Sequence, residues 1–135
     1  LVDELMYKTD LLSFNQYVGW YDGDADKCDR VRWSFPVEKP VILSELGGGA
    51  RYGRHGADNE RFTEEYLVRL YEKNIAMMQR IPGLAGCTPW ILKDFRSPRR
   101  ALDGIQDDFN RKGLVDESGH KKDAFYTLRR WYLSF

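Results

Sequence analysis

The amino-acid sequence predicts an α/β fold with parallel strands joined by right-handed crossovers. Short apolar runs alternate along the chain with segments of helical periodicity, the order that forces a crossover between neighbouring strands. One of these runs, Val41-Ile42-Leu43, is unbroken by polar residues, as expected of a strand buried on both faces. The chain has 135 residues, enough for one domain with a real core. Two architectures fit. One is a small open sheet; the other is the last portion of an eight-unit barrel, which as a whole needs about 250 residues.

Each element has its own warrant. Asp10 to Phe14, "DLLSF", is a short apolar run that stops at Asn15-Gln16-Tyr17 and reads as a strand. Cys28, Val31 and Phe35 recur at helical spacing and predict a short helix within Asp24 to Phe35, punctuated by Pro36 and Pro40. Val41 to Glu45 is the second strand. The glycine-rich segment from Gly47 to Gly56 follows, and Asp58 or Asn59 then caps a long helix through Arg80. Its apolar face carries Phe62, Tyr66, Leu67, Leu70, Tyr71, Met77, Met78 and Ile81, read as core packing. Gly83 to Leu92 is a third strand. A long polar stretch comes next, of the kind that is usually functional or disordered. Lys121 to Phe135 closes the chain as an amphipathic helix with Ala124, Phe125, Leu128 and Trp131 on one side.

Composition excludes several function classes. Lys plus Arg is 21 and Asp plus Glu is 21, so no net field favours nucleic acid or an anionic membrane. The basic cluster Arg96, Arg99 and Arg100 reads as a solvated loop. No apolar run approaches the ~18 residues of a membrane span. Cys28 and Cys87 have neither metal-ligand spacing nor the count of a disulfide framework, and they leave the compartment undetermined. His55 and His120 have no partner at ligand spacing and read as surface or local hydrogen-bonding residues. Gly47-Gly48-Gly49 lacks the Lys-Ser/Thr ending of a phosphate loop and the spacing of a dinucleotide fingerprint. The chain opens at Leu1 without Met, in mid-pattern, as if cut from something longer.

In parallel α/β folds chemistry gathers beyond the carboxyl ends of the strands. Here the first strand ends in Asn15, Gln16 and Tyr17, followed by Gly19-Trp20-Tyr21; the second ends in Glu45; the third ends near Trp90. Aromatic faces with amide and carboxylate partners suit a sugar. Glu45 has two readings, a catalytic carboxylate or a cap for a backbone amide of the glycine loop, and Trp20 and Trp90 equally suit ordinary buried aromatics.

Four segments then carry a resemblance that covers nearly the whole chain. "SFNQYVGWY", "PVILSELGGGA", "AGCTPWILKDF" and "NRKGLVDESGHKKDAF" stand in the order and spacing found in glycoside hydrolase family 2, nearest to its β-glucuronidase and β-galactosidase-like members. The resemblance implies a (β/α)8 TIM barrel preceded by β-sandwich domains, of which residues 1–135 supply the sixth, seventh and eighth βα units. It implies that Glu45 is the nucleophile at the end of the seventh strand. Tyr17 matches the tyrosine that lies against that nucleophile. Asn15 and Tyr21 match pocket positions, and Trp90 matches the aromatic floor on the eighth strand. Asn110 and Lys112 match an Asn-x-Lys pair that in glucuronidases grips the sugar carboxylate. Two departures stand out: no Asn-Glu unit for the acid/base residue exists in this chain, and Gln106 occupies a position where some glucuronidases carry Arg.

The expected function is a retaining exo-β-glycosidase acting on terminal β-D-glucuronides, with a β-galactosidase or a non-catalytic carbohydrate-binding remnant as alternatives. A retaining enzyme needs two carboxyl groups about 5–5.5 Å apart. A buried strand end holds the attacking carboxylate better than a loop. A hydrogen bond from Tyr17 would orient it, and the glycines beyond Glu45 allow a tight reversal and leave room for the sugar. The alternative at the other end is that Lys112 merely pairs with Asp107 or Asp108 in a polar turn. No cofactor and no catalytic metal are implied. The expected partners are a β-glycoside substrate, the remainder of the barrel and the β-sandwich domains, with a homo-oligomer left open. Without the missing units the chain is expected to be poorly soluble and, lacking the general acid, without turnover.

Overall fold

The computed structural model describes residues 3–134. Its centre is a three-stranded parallel sheet in the order β1 (Leu12–Asn15), β2 (Val41–Glu45), β3 (Leu84–Cys87). The second strand has the bounds read from sequence, and its central place aims Glu45 out of the middle of the sheet. The first begins at Leu12 and not at Asp10, and it runs one residue beyond Phe14, so that Asn15 lies opposite Glu45 across an irregularity in the register.

Successive side chains of a strand face opposite ways. Val41 and Leu43 are fully buried and join Leu67, Leu70, Tyr71 and Leu128 in one core, whereas Ile42 and Ser44 stay half-buried. The burial expected on both faces of β2 is thus complete on one. Helix α1 (Glu64–Met78) and helix α2 (Asp123–Tyr132) pack on each other and supply the core. In α2, Ala124, Leu128 and Trp131 are buried and Phe125 is half-buried, as its periodicity predicts. Phe135, the expected end of that helix, lies outside the described residues.

Four expectations change. First, the helix expected over Asp24 to Phe35 is only a 3-10 turn, Ala25–Asp29. Arg32 donates to the carbonyls of Asp29 and Val31, Phe35 precedes a proline and so avoids the helical region, and the rings of Trp33 and Phe35 pack on Phe14 with centroids 5.0 and 5.9 Å away. Second, the long helix is capped by Thr63, whose hydroxyl accepts from the Tyr66 N–H, and not by Asp58 or Asn59. Phe62, at φ 69°, therefore precedes the helix, yet its ring still meets Trp20 at 5.1 Å.

Third, β3 stops at Cys87 and does not reach Leu92. Beyond it the backbone bonds to a different segment: Ile91 N–H to the Lys112 carbonyl (3.0 Å), Leu114 N–H to Ile91 (3.0 Å) and Asp94 N–H to Val115 (2.9 Å). The Trp90–Ile91 peptide is cis. Fourth, the long polar stretch is ordered around an antiparallel pair, β4 (Phe95–Arg96) with β5 (Phe109–Asn110). That pairing carries residues 110–113 back to the open end of the sheet. No helix among the described residues is long and apolar enough to cross a membrane.

Candidate active site

Glu45 emerges half-buried at the carboxyl end of the central strand. Its Oε2 accepts a hydrogen bond from the Tyr17 hydroxyl at 2.7 Å, and none comes from an amide of the glycine segment among the described residues. Tyr17 is held by the turn after β1, in which the amides of Trp20 and Tyr21 both bond to its carbonyl at 3.0 Å. Beneath the turn, buried Gln16 donates to Asn74 of α1 at 2.6 Å and accepts from the Val18 N–H at 2.8 Å. Burial, and then the bond to Glu45, push the Tyr17 phenol well above the usual tyrosine range, so it remains a donor. Asn15 is exposed beside this pair, its amide oxygen accepting from the Ser44 hydroxyl at 2.8 Å.

The glycines after Glu45 answer to packing. Gly47 sits at φ 125°, and a β-carbon there would lie 2.4 Å from the Tyr71 hydroxyl. At Gly48 it would lie 2.5 Å from Leu70 and 2.7 Å from the Trp20 ring. The space a side chain at Gly48 would need is taken by Leu70 of α1 and by Trp20, so the loop can approach the helix only without side chains.

A second group lies in a cavity of about 180 Å3 lined by Trp20, Tyr21, Arg61, Arg100, Gln106, Asn110 and Lys112. Lys112 is buried and donates to the Tyr21 hydroxyl at 2.7 Å; it pairs with neither Asp107 nor Asp108, and Asp107 is instead bound by Arg51 at 2.7 Å. Arg100 donates to the same Tyr21 oxygen at 3.2 Å. Burial raises the Tyr21 phenol, but the bonds from Lys112 and Arg100 outweigh it and leave the group lowered. Asn110, at the end of β5, accepts the Lys112 N–H at 3.1 Å and so shapes the turn that presents the lysine.

The structure thus brings Tyr17 onto Glu45, and Tyr21, Asn110 and Lys112 into one cavity. The two groups meet through the Tyr17 and Tyr21 rings, 5.2 Å apart edge to face. Trp90 stands apart from that cavity, half-buried; its N–H bonds to the carbonyl of Leu46, next to Glu45, and its ring meets Phe95 at 6.4 Å. Arg100 is the residue that sequence reasoning missed: the basic cluster was visible, but nothing in it separated the one arginine that turns into the cavity from two that stay exposed. A buried clamp was also missed. Lys122 donates to both Asp94 oxygens (2.8 and 3.0 Å) and to the Arg111 carbonyl (3.0 Å), while Asp94 accepts the Gly113 N–H at 2.7 Å. Both sides of Lys112 are held in this way. Burial raises the Asp94 carboxyl and lowers the Lys122 ammonium. His55 and His120 bond locally, to Glu65 and Asp116, each at 2.8 Å. Among the described residues no three His, Cys, Asp or Glu side chains gather as metal ligands.

No family model matches the chain. A putative beta-glucuronidase of Formosa agariphila is 27% identical over 151 residues, covering 91% of this chain and 18% of that protein. The beta-glucuronidase of Streptococcus agalactiae is 29% identical over 140 residues, covering 96% and 23%. Among solved structures, Faecalibacterium prausnitzii beta-glucuronidase superposes with a TM-score of 0.79 at 26% identity, over 98% of this chain and 23% of that one. A GH2 beta-galacturonidase from Eisenbergiella tayi bound to galacturonate gives 0.76 at 26% identity, over 93% and 24%. The chain therefore spans about a fifth of the length of the curated relatives it matches. The resemblance to glycoside hydrolase family 2 carried by the four motifs holds over most of the chain, and its α/β fold is similar to that of a beta-glucuronidase.

Proposed function

We propose that residues 1–135 are the sixth to eighth βα units of the catalytic (β/α)8 barrel of a retaining exo-β-glycosidase, acting on terminal β-D-glucuronides. The observation that carries the reading is the carboxylate of Glu45 at the carboxyl end of the central parallel strand, held by the Tyr17 hydroxyl at 2.7 Å. Such a carboxylate is fixed in direction while its second oxygen is left to attack. In the first displacement a Glu45 oxygen bonds to the anomeric carbon as the glycosidic bond breaks. The departing oxygen takes a proton from a carboxylic acid contributed by another unit of the barrel. In the second, water attacks the same carbon, gives a proton to that acid's conjugate base and returns Glu45 as a free carboxylate. Asn15 and Trp90 flank the attack, and Tyr21, Asn110 and Lys112 bind the sugar away from the scissile bond.

The buried ammonium of Lys112, which among the described residues bonds to the Tyr21 hydroxyl and to no carboxylate, favours an acidic sugar. Gln106 in the same cavity favours the second reading, a β-galactosidase of the same family, since an added arginine there would have suited an anion. The test is turnover by the full-length gene product of 4-nitrophenyl β-D-glucuronide, β-D-galacturonide and β-D-galactoside. A uronide is expected to have the highest kcat/KM. Outright preference for the galactoside would replace the first reading with the second.

A further inference from the structure

Some positive charges of this chain are matched by a carboxylate, and others are not. Lys27, Arg51, Arg54, Arg69, Lys73, Arg111 and Lys122 each stand within ion-pair distance of a carboxylate. Lys112 and Arg100 do not: among the described residues both are bonded to the phenol oxygen of Tyr21, at 2.7 and 3.2 Å, and neither meets a carboxylate. Lys112 is only 5% exposed, and in place of a counter-charge its ammonium has the Tyr21 hydroxyl and the Tyr21 ring, whose centroid is 4.8 Å away, so an anion in the cavity would restore the charge balance lost on burial. A phenol oxygen has two lone pairs and one hydrogen. With both cations donating to it, its own hydrogen is left as a third donor. Arg61, Arg111, Gln106 and the uncharged Asn110 complete the polar lining, and no acidic side chain lines the cavity.

Arg100 is also held in position. Its N–H bonds to the Ser97 carbonyl at 2.8 Å, and its own carbonyl accepts the Asp108 N–H at 3.0 Å, so the turn between β4 and β5 fixes the root of the side chain. We propose that Arg100 is a specificity-determining residue of this site: with Lys112 and Tyr21 it forms a three-donor subsite for the carboxylate of a uronic acid. It supplies the guanidinium that Gln106 does not. A guanidinium suits a planar carboxylate better than an ammonium does, because it presents two parallel donors. The inference rests on the proposed reading of the cavity as the sugar site and goes beyond it in assigning Arg100.

The test uses the full-length gene product carrying Arg100→Gln, Arg100→Lys or Lys112→Ala. It compares kcat/KM on 4-nitrophenyl β-D-glucuronide with that on the neutral 4-nitrophenyl β-D-glucoside, together with inhibition by D-glucuronate. Loss of one charge-assisted bond to substrate corresponds to about 10–150-fold. Arg100→Gln is expected to lower kcat/KM on the glucuronide by at least about 10-fold, mainly through KM. It should weaken inhibition by glucuronate to a similar degree, lower kcat/KM on the glucoside far less than on the glucuronide and be partly rescued in Arg100→Lys. Parallel losses on both substrates would make Arg100 a structural residue and overturn the assignment. An unchanged glucuronide rate in Arg100→Gln, with a large loss in Lys112→Ala, would overturn Arg100 while leaving the uronide reading intact. No preference for the glucuronide in the unmodified enzyme, with Lys112→Ala neutral on both substrates, would remove the carboxylate subsite and Arg100 with it.

Discussion

Replacing Tyr17 by Phe removes one oxygen and keeps the ring, so it isolates the bond to Glu45 from the packing around it. That bond is short, 2.7 Å, and its acceptor is a carboxylate, which places it among the charge-assisted class worth about 1.5–3 kcal/mol. Glu45 is half-buried, so water can take part of the donor's place and the lower half of the range applies. The expected loss in kcat/KM on an aryl β-D-glucuronide is about 10–50-fold. The thermal midpoint should change little, because the ring still meets Tyr21 at 5.2 Å. The assay is steady-state hydrolysis by the full-length gene product, with thermal unfolding measured on the same samples. A loss below about twofold at unchanged stability would mean that the hydroxyl does not position Glu45 for attack, since such a factor is smaller than one neutral hydrogen bond.

Two further outcomes follow from buried groups. Lys122→Met should destabilise by about 3–5 kcal/mol, because it leaves the Asp94 carboxylate with only Arg111 at 3.4 Å and the Gly113 N–H inside the fold. A shift in the urea midpoint worth under about 1 kcal/mol would show that the clamp is dispensable. Stability should also fall in alkali. Burial raises the phenols of Tyr17, Tyr66, Tyr71 and Tyr132, against one lowered phenol, Tyr21. Above the ordinary tyrosine value of about 10, the unfolded chain releases protons that the native chain keeps, so native stability declines as pH rises through that point. Phenolate absorbance should therefore appear later in the native protein than in the urea-unfolded one; coincident titrations would contradict it.

The legible parts of this chain were those decided by local pattern. Val41 to Glu45 is a strand because its apolar run is short and bounded by Pro40 and glycine, and the apolar face of α1 followed from its spacing. The pairing of Tyr17 with Glu45 was within reach too, since parallel neighbours set Asn15 beside Glu45. What escaped was decided by partners far away in sequence. Residues 30–35 had helical spacing, but Trp33 and Phe35 are drawn onto Phe14 of β1. The third strand looked longer because residues 90–94 are equally regular, only bonded to residues 112–115. Arg100 reaches Tyr21 across most of the chain, through a turn that exists only once β4 pairs with β5. The Asp94–Lys122 clamp joins two residues that, in sequence, look like ordinary loop charges.

The central claim is that Glu45 is the nucleophile of a double displacement. A 2-deoxy-2-fluoro-β-D-glucuronyl fluoride reacts at its anomeric carbon and slows the second displacement, so the covalent ester accumulates. Peptide mapping of the labelled full-length gene product should place the sugar on Glu45. A label on another carboxylate, Asp94 included, or full turnover retained by Glu45→Ala, would contradict the account.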